Sequence, residues 1–340
     1  MKPVLHRKKV AGAVARLLTC SAMLVLAPVF AAEVPTTAAT TAKAEKTTGV
    51  EKPVAANAVA ANAVAANAVA TDAATPYRVA LSKAPTVPLL LVDPSEKVWA
   101  LHITSGSKLS VLRGHAMVDS SHEKALWVAD GAIEVSNGDI GVVGGVHLMG
   151  QPTVTPEPAS GLKVIEDPFP TITTPDDLPV VSHAKLFLRN SEVTLTPGVY
   201  RGGIFSGGVQ RVVLRPGVYI MEDGDFFVSG AQLEGQGVTL IFSGSRPGAF
   251  WTAAKTQLNL SAPTEGPLQG LLIVSRAEGS DNVRITSTQG TLNGVIYAPA
   301  TGMSVSAASE ISVPRVVCAN LSLTLGSTLE VTGADVPKEN

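Results

Sequence analysis

Between residues 105 and 332 the chain alternates apolar and polar positions in short runs, each bounded by Gly, Asp, Asn or Ser. KLSVLRG, GAIEVSN and DIGVVGG come first. QLNLSAP, LQGLLIVS, NVRITST, TLNGVIYAP, GMSVSAAS, EISVPRVVC and SLTLGSTLEVTG follow towards the C-terminus. A period of two with turn residues between the runs is the signature of strands with one buried side, and long helices have almost nowhere to sit. The stretch from Glu192 to Ser243 adds a near-repeat, LTPGVYRGG followed by LRPGVYIMEDG, whose Pro-Gly-Val-Tyr quartets start at Pro197 and Pro216, 19 residues apart. A unit this short cannot bury a face alone, so its neighbours must stack on it. The sequence therefore predicts an all-β fold, a right-handed parallel β-helix, with a meandering β-sandwich as the main rival. Tyr200 and Tyr219 are expected at equivalent places on successive coils, facing the same way.

One segment interrupts this pattern. QPTVTPEPASGLKVIEDPFPTITTPDDLPVVSH, an insertion near 151–182, is crowded with prolines and cannot be a continuous central ladder, because proline lacks the donor a ladder needs. It is expected to cross the solenoid wall or pack along one edge. Either this insertion or the first strands, around Pro88 to Ile103, is expected to cap an exposed end of the stack.

The N-terminal residues carry a different pattern. HRKK and Arg16, then LLTCSAMLVLAPVFA, then Val29-Phe30-Ala31, read as a cleaved signal peptide over 1–31 rather than a retained anchor. A lipoprotein reading of LLTC at Cys20 is disfavoured by Thr19 and by the apolar run beyond Cys20. Residues 32–78 are rich in Ala, Thr, Val, Pro, Lys and Asn and contain VAANAVAANAVAANAVA, a five-residue repeat that fits neither a helix face nor a strand face. They predict a flexible spacer. The β-helix domain is assigned to 79–336.

The formal net charge of −2 gives no electrostatic case for a nucleic-acid or anionic-membrane partner. With the signal removed, Cys318 is the remaining cysteine. A lone thiol amid alternating apolar residues is expected to be reduced and buried, without an intramolecular bridge.

GHAMVDSSHEKALWVADGAIEVSNGDIGVVGG and the EDPF that follows it, together with LTPGVYRGGIFSGG, LRPGVYIMEDGDFFVSG, GVTLIFSG, APTEGPLQGLLIVS and TLNGVIYAP, resemble the TadG-like, Flp-pilus-associated proteins of bacteria over roughly Ser105 to Thr332. The resemblance implies a repeat region in which the Pro-Gly-Val-Tyr step recurs and an Ile-Tyr-Ala-Pro step closes a coil. It also implies a disulfide in relatives between a position matching His115 and one near Cys318. His115 stands where relatives carry the first cysteine, so that bridge is absent here. Larger members carry a membrane helix and a von Willebrand-like region, whereas this chain has an export signal and a spacer, which favours a stand-alone exported protein.

The chemistry-bearing residues also have structural explanations. Glu222, Asp223 and Asp225 are the best acidic group, able to hold Ca²⁺ or to act as acid and base on a glycan, but a solvated turn after the strand VYIM explains them more simply. Glu166, Asp167, Asp176 and Asp177 lie in the proline-rich segment. His102, His115, His122 and His147 have no local zinc spacing. FSGG and FSGSRPG lack the setting of a nucleophile elbow. Trp99, Trp127, Phe226, Phe227, Phe250 and Trp251 would make a sugar-stacking platform only if several shared one outer face, and adjacent Phe226 and Phe227 must point to opposite sides. No residue is assigned as catalytic, cofactor-binding or metal-binding, and no cofactor or nucleotide is expected. The sequence reads as a non-enzymatic exported structural or adhesive protein of the bacterial cell envelope or surface. Its expected partner is an envelope or extracellular polysaccharide or a surface protein, and no membrane anchor remains after signal cleavage. The alternative is a glycan-binding or pectate-lyase-like β-helix.

Overall fold

A computed structural model describes residues 87–93, 95–169, 172–278 and 281–333, so the expected signal peptide and spacer lie outside the described residues. Within them the chain is a parallel β-solenoid, with strands and turns and no helix. Each coil contributes to three walls. One wall is a ten-stranded parallel sheet, and the other two share a continuous 18-stranded sheet that bends between them. Successive Cβ atoms alternate in and out, so every wall buries one column of side chains and shows the other.

The stacking order is not the chain order. Coils run along the axis as 180–195, 198–214, 217–235, 238–261, 271–293, 295–313 and 315–331, and the coils 89–111, 116–135 and 140–155 then continue the same stack. The join is in register: Leu89 pairs with Val316, Leu101 with Leu321 and Leu109 with Leu329. This corrects the expectation that the first strands cap an end. Leu89–Leu91 is fully buried and paired on both sides, to Arg315–Leu323 and to Ala116–Val118, because three consecutive leucines satisfy both the lumen and the covered outer wall.

The proline-rich segment between Thr153–Thr155 and Val180–Ser182 runs back from one end of the stack to the other, along a wall rather than over an end. That wall presents Leu90, Met117, Ile220, Ile241, Val295, Tyr297 and Val317 outwards, and Leu162, Ile165, Phe169, Ile172 and Leu178 of the segment pack on them. Prolines suit a strap that needs apolar contacts but no ladder. Polar ties fix its register. The Tyr297 hydroxyl lies 2.6 Å from Asp167 Oδ2 and 2.8 Å from the Phe169 carbonyl oxygen, and Arg276 Nη2 donates to the Ile172 carbonyl.

Asp119 is the third tie. Its two carboxylate oxygens share the Ile165 amide at 3.3 Å, a weak bond for a side chain with no exposed surface. Burial therefore dominates and pushes the carboxyl up from 3.8 to about 7. The folded state then holds a proton that the unfolded chain has released, so this group stabilises the fold at low pH and loses that contribution as pH rises towards 7. Denaturant melts at pH 5 and pH 8 should differ by about 2–3 kcal/mol more in the wild type than in Asp119→Asn, with the wild type relatively more stable at pH 5. Equal pH dependence in the two proteins would show that Asp119 is ionised in the fold.

The near-repeat is one coil long. Tyr200 and Tyr219 are both buried, face the lumen and stack with ring centroids 6.1 Å apart at 17°. The ladder pairs Tyr219 with Gly198 and Tyr200 with Met221, so the motif advances by two residues per coil, which keeps both rings on the same side. Each hydroxyl donates to the carbonyl four residues back, Thr196 at 2.5 Å and Arg215 at 2.7 Å, the residue just before the quartet's proline. The quartet glycine is obligatory. Gly217 has φ +135°, and a Cβ there would stand 2.4 Å from Pro197 Cγ of the preceding coil.

Cys318 is fully buried and free, with its thiol donating to the Asn320 carbonyl at 3.2 Å. Burial raises the thiol far above its ordinary range, so the group is inert.

Candidate functional site: an aromatic wall

With one wall strapped, two remain open. The ten-stranded wall is polar: its outward column contains Arg211, Gln232, Gln257, Gln289 and Glu310 in register. Arg211 bridges Glu192 and Glu234 across three coils, and Lys108 pairs with Glu134 at 2.7 Å. Such ladders satisfy themselves and offer solvent a neutralised surface.

The third wall differs. Its outward column reads, in stacking order, Phe187, Phe205, Phe227, Trp251, Arg284, Ser304, Ser322, His102, Trp127 and His147. The ladder spacing makes this row about 43 Å long. Phe187, Phe205, Phe227 and Trp251 form one block, with centroid separations of 5.5, 4.8 and 4.8 Å. A second block lies beyond three polar coils. There Trp127 stacks on His147 at 4.4 Å, and Trp99, from the turn before Leu101–Thr104, lies 5.4 Å from both His102 and Trp127. All three tryptophans of the chain are in this row or beside it. The next outward column is small, with Gly207, Ser229 and Ala253 in register beside the first block and Thr286 paired with Ser306 beyond it. The rings therefore stand above a low floor.

A contiguous row of exposed rings is unusual for monomer surfaces, and the exposed aliphatics elsewhere, such as Val164, Val181 and Leu325, form no such row. Phe187 is 52 % exposed, Trp99 46 %, Trp251 40 % and Phe205 37 %. The pleat splits the aromatic set singled out in the sequence. Phe227, Trp251, Trp127 and Trp99 are outside, whereas Phe226 and Phe250 are lumen residues in edge-on contact at 6.1 Å, Phe226 and Phe227 facing opposite ways as the pleat requires. Phe187 and Phe205 carry no signal in the sequence because each is a lone ring in a short strand, Phe187 between Leu186 and Leu188 and Phe205 between Ile204 and Ser206. Only the pairing of coils lines them up with Phe227.

The other candidates do not converge. Glu222 pairs with Arg201 at 2.8 Å. Asp223, with φ 55°, accepts the Arg246 amide at 2.7 Å, and that bond, with help from Ser245, holds its carboxyl below the ordinary range. Asp225 accepts the Ala249 amide at 2.8 Å. Each acid ties its turn to a neighbouring coil. Asp167 belongs to the strap lock, and Glu166, Asp176 and Asp177 stay on the strap. His115 accepts the Asp139 amide and His122 the Lys124 amide, so these two organise turns, while His102 and His147 belong to the row. His102 is partly buried, which lowers its pKa and favours the neutral ring. No group of three or more His, Cys, Asp or Glu side chains with metal-binding geometry occurs among the described residues. No helix of those residues is long and apolar enough to cross a membrane.

No family model matches the chain, and no curated protein matches it. Among solved structures, an ice-binding protein from an Antarctic bacterium, Flavobacteriaceae, is similar at 13 % identity, with 76 % of this chain and 84 % of that chain covered at a TM-score of 0.25. A superposition that loose carries no functional argument.

Proposed function

We infer that the protein is a non-enzymatic, exported adhesive or structural module of the bacterial envelope or surface, and that it holds an extended polysaccharide along its aromatic wall. The observation that supports this most is the in-register row from Phe187 to His147 on an otherwise low wall. Sugar rings have an apolar face that stacks on aromatic rings and an equatorial rim of hydroxyls that needs donors and acceptors. The row supplies both, since Arg284, Ser304 and Ser322 separate its two aromatic blocks. A protein interface of this length would favour an apolar centre with a polar rim, the reverse of this order. Coil spacing is also close to the length one hexose adds to an extended chain. A pilus setting rests on the sequence resemblance alone.

The test is a screen of residues 79–340 against insoluble and soluble envelope and extracellular polysaccharides, with and without Ca²⁺, measuring retention and new reducing or unsaturated ends. Retention on at least one polymer without new ends is the expected result. Turnover abolished by Asp223→Ala or Asp225→Ala would overturn the non-enzymatic assignment, and no retention on any polymer would overturn the glycan assignment.

A further inference from the structure

A cavity of about 600 Å³ opens beside the aromatic row where the first block ends. Its walls are the turns 244–249 and 276–278 with Trp251 and Arg284, which are neighbours across the ladder. Three guanidinium groups line it, Arg246, Arg276 and Arg284, against the carboxylates of Asp225 and Glu278. None of the three arginines makes an ion pair among the described residues. Arg284 uses Nε on the Asp281 carbonyl and keeps its two terminal nitrogens. Arg276 uses one terminal nitrogen on the strap, and the Arg246 side chain makes no hydrogen bond among the described residues, its charge only helping to hold the Asp223 carboxyl below the ordinary range. Asp225 accepts the Ala249 amide through Oδ1, and the three guanidinium groups of the lining outnumber its two carboxylates, leaving a net positive charge in the cavity.

Building on the polysaccharide reading, we propose that this cavity takes the carboxylate of a hexuronic acid residue whose ring stacks on Trp251, and that the ligand is an acidic polymer. Guanidinium groups suit this task because the planar fork matches a carboxylate with two parallel bonds, and partial enclosure strengthens each of them. Trp251 fixes the ring plane and Arg284, one coil on, lies within reach of a substituent at its edge. Neighbouring rings of the same chain would lie over Phe187, Phe205 and Phe227. The strap contributes through Ile172, whose carbonyl orients Arg276 towards the cavity.

Polygalacturonate and its fully methyl-esterified form, matched in length, separate this proposal from the reading it rests on. Affinity electrophoresis or calorimetry of residues 79–340 should show the acid form bound at least about 10-fold tighter than the ester, with the difference shrinking as salt is added. Arg246→Gln and Arg284→Gln should each remove most of that difference, and Arg246→Gln, which lies outside the row, should leave binding of the ester unchanged. The Arg246 side chain holds no structural bond, so its variant reports on the ligand rather than on folding. Equal binding of acid and ester would overturn the carboxylate site while leaving the glycan wall standing. An unchanged preference in both variants would overturn it too, and failure of both polymers to bind would remove both proposals for this ligand class.

Discussion

Replacing Phe205, Phe227 and Trp251 together by serine is expected to weaken retention on polysaccharide by at least about 30-fold, the effect of losing one strong anchor, while leaving the fold intact. The three rings meet neighbours of the same wall at 4.8 Å and touch nothing in the lumen, where Phe226 and Phe250 do the packing. Removing them forfeits cross-strand contacts worth about 2 kcal/mol in sum. A loss of that size lowers the melting temperature of a domain this large by roughly 5 °C. The matched control replaces Gln232, Gln257 and Gln289 of the polar wall by alanine and should change retention little. Equal losses from the two walls would show that the aromatic row is not the contact surface.

Gly224→Ala is expected to be among the most damaging additions of a single methyl group. Gly224 forms the corner between the strapped wall and the aromatic wall, two residues before Phe226, and a Cβ there would stand 2.0 Å from the carbonyl carbon of Gly202 on the coil before it. Gly248 repeats the contact one coil on, with its Cβ 2.2 Å from the Gly224 carbonyl carbon. Backbone rests on backbone along this column, and no flexible side chain is available to yield. The expected cost is about 3 kcal/mol or more. Gly161 on the strap, with φ +74° and nothing within 4 Å of an added methyl, isolates the conformational term alone, so Gly161→Ala should cost only about 1 kcal/mol. Denaturant melts of the two variants decide the matter. Similar stabilities would mean that the corner relaxes freely and that coil spacing is not set there. Because the corner also places Phe227 and Trp251, Gly224→Ala should weaken polymer binding more than its stability loss alone explains.

These two experiments bear on different levels of what the sequence carries. The pleat and the coil period were legible, because alternation within SEVTLTPGVY and the recurrence of Pro-Gly-Val-Tyr are local properties of the chain. The strap was legible as a segment unable to join a ladder, since its prolines remove donors. Stacking order was not. Leu89–Leu91 binds the coil at Val316–Cys318, over 200 residues away, and any apolar coil edge is chemically compatible with any other. The aromatic wall was hidden for the same reason. Phe187 in KLFLRN and Phe205 in GIFSGG each read as one strand residue among several, and only the register between coils turns them into a row with Phe227 and Trp251. The acids at 222–225 were legible as turn residues, but not the partner on a neighbouring coil that each carboxylate takes.

If bound polymer lies on the aromatic wall, the tryptophans report on it without any substitution, because all three belong to that wall. Oxidative footprinting of residues 79–340, read by mass spectrometry with and without a retained polysaccharide, measures the contact residue by residue. Polymer should protect Trp251, Trp127 and Trp99 and leave Lys108 and the glutamines of the polar wall labelled equally in both samples. Protection on the polar wall with the tryptophans unchanged would place the polymer elsewhere and contradict the assignment.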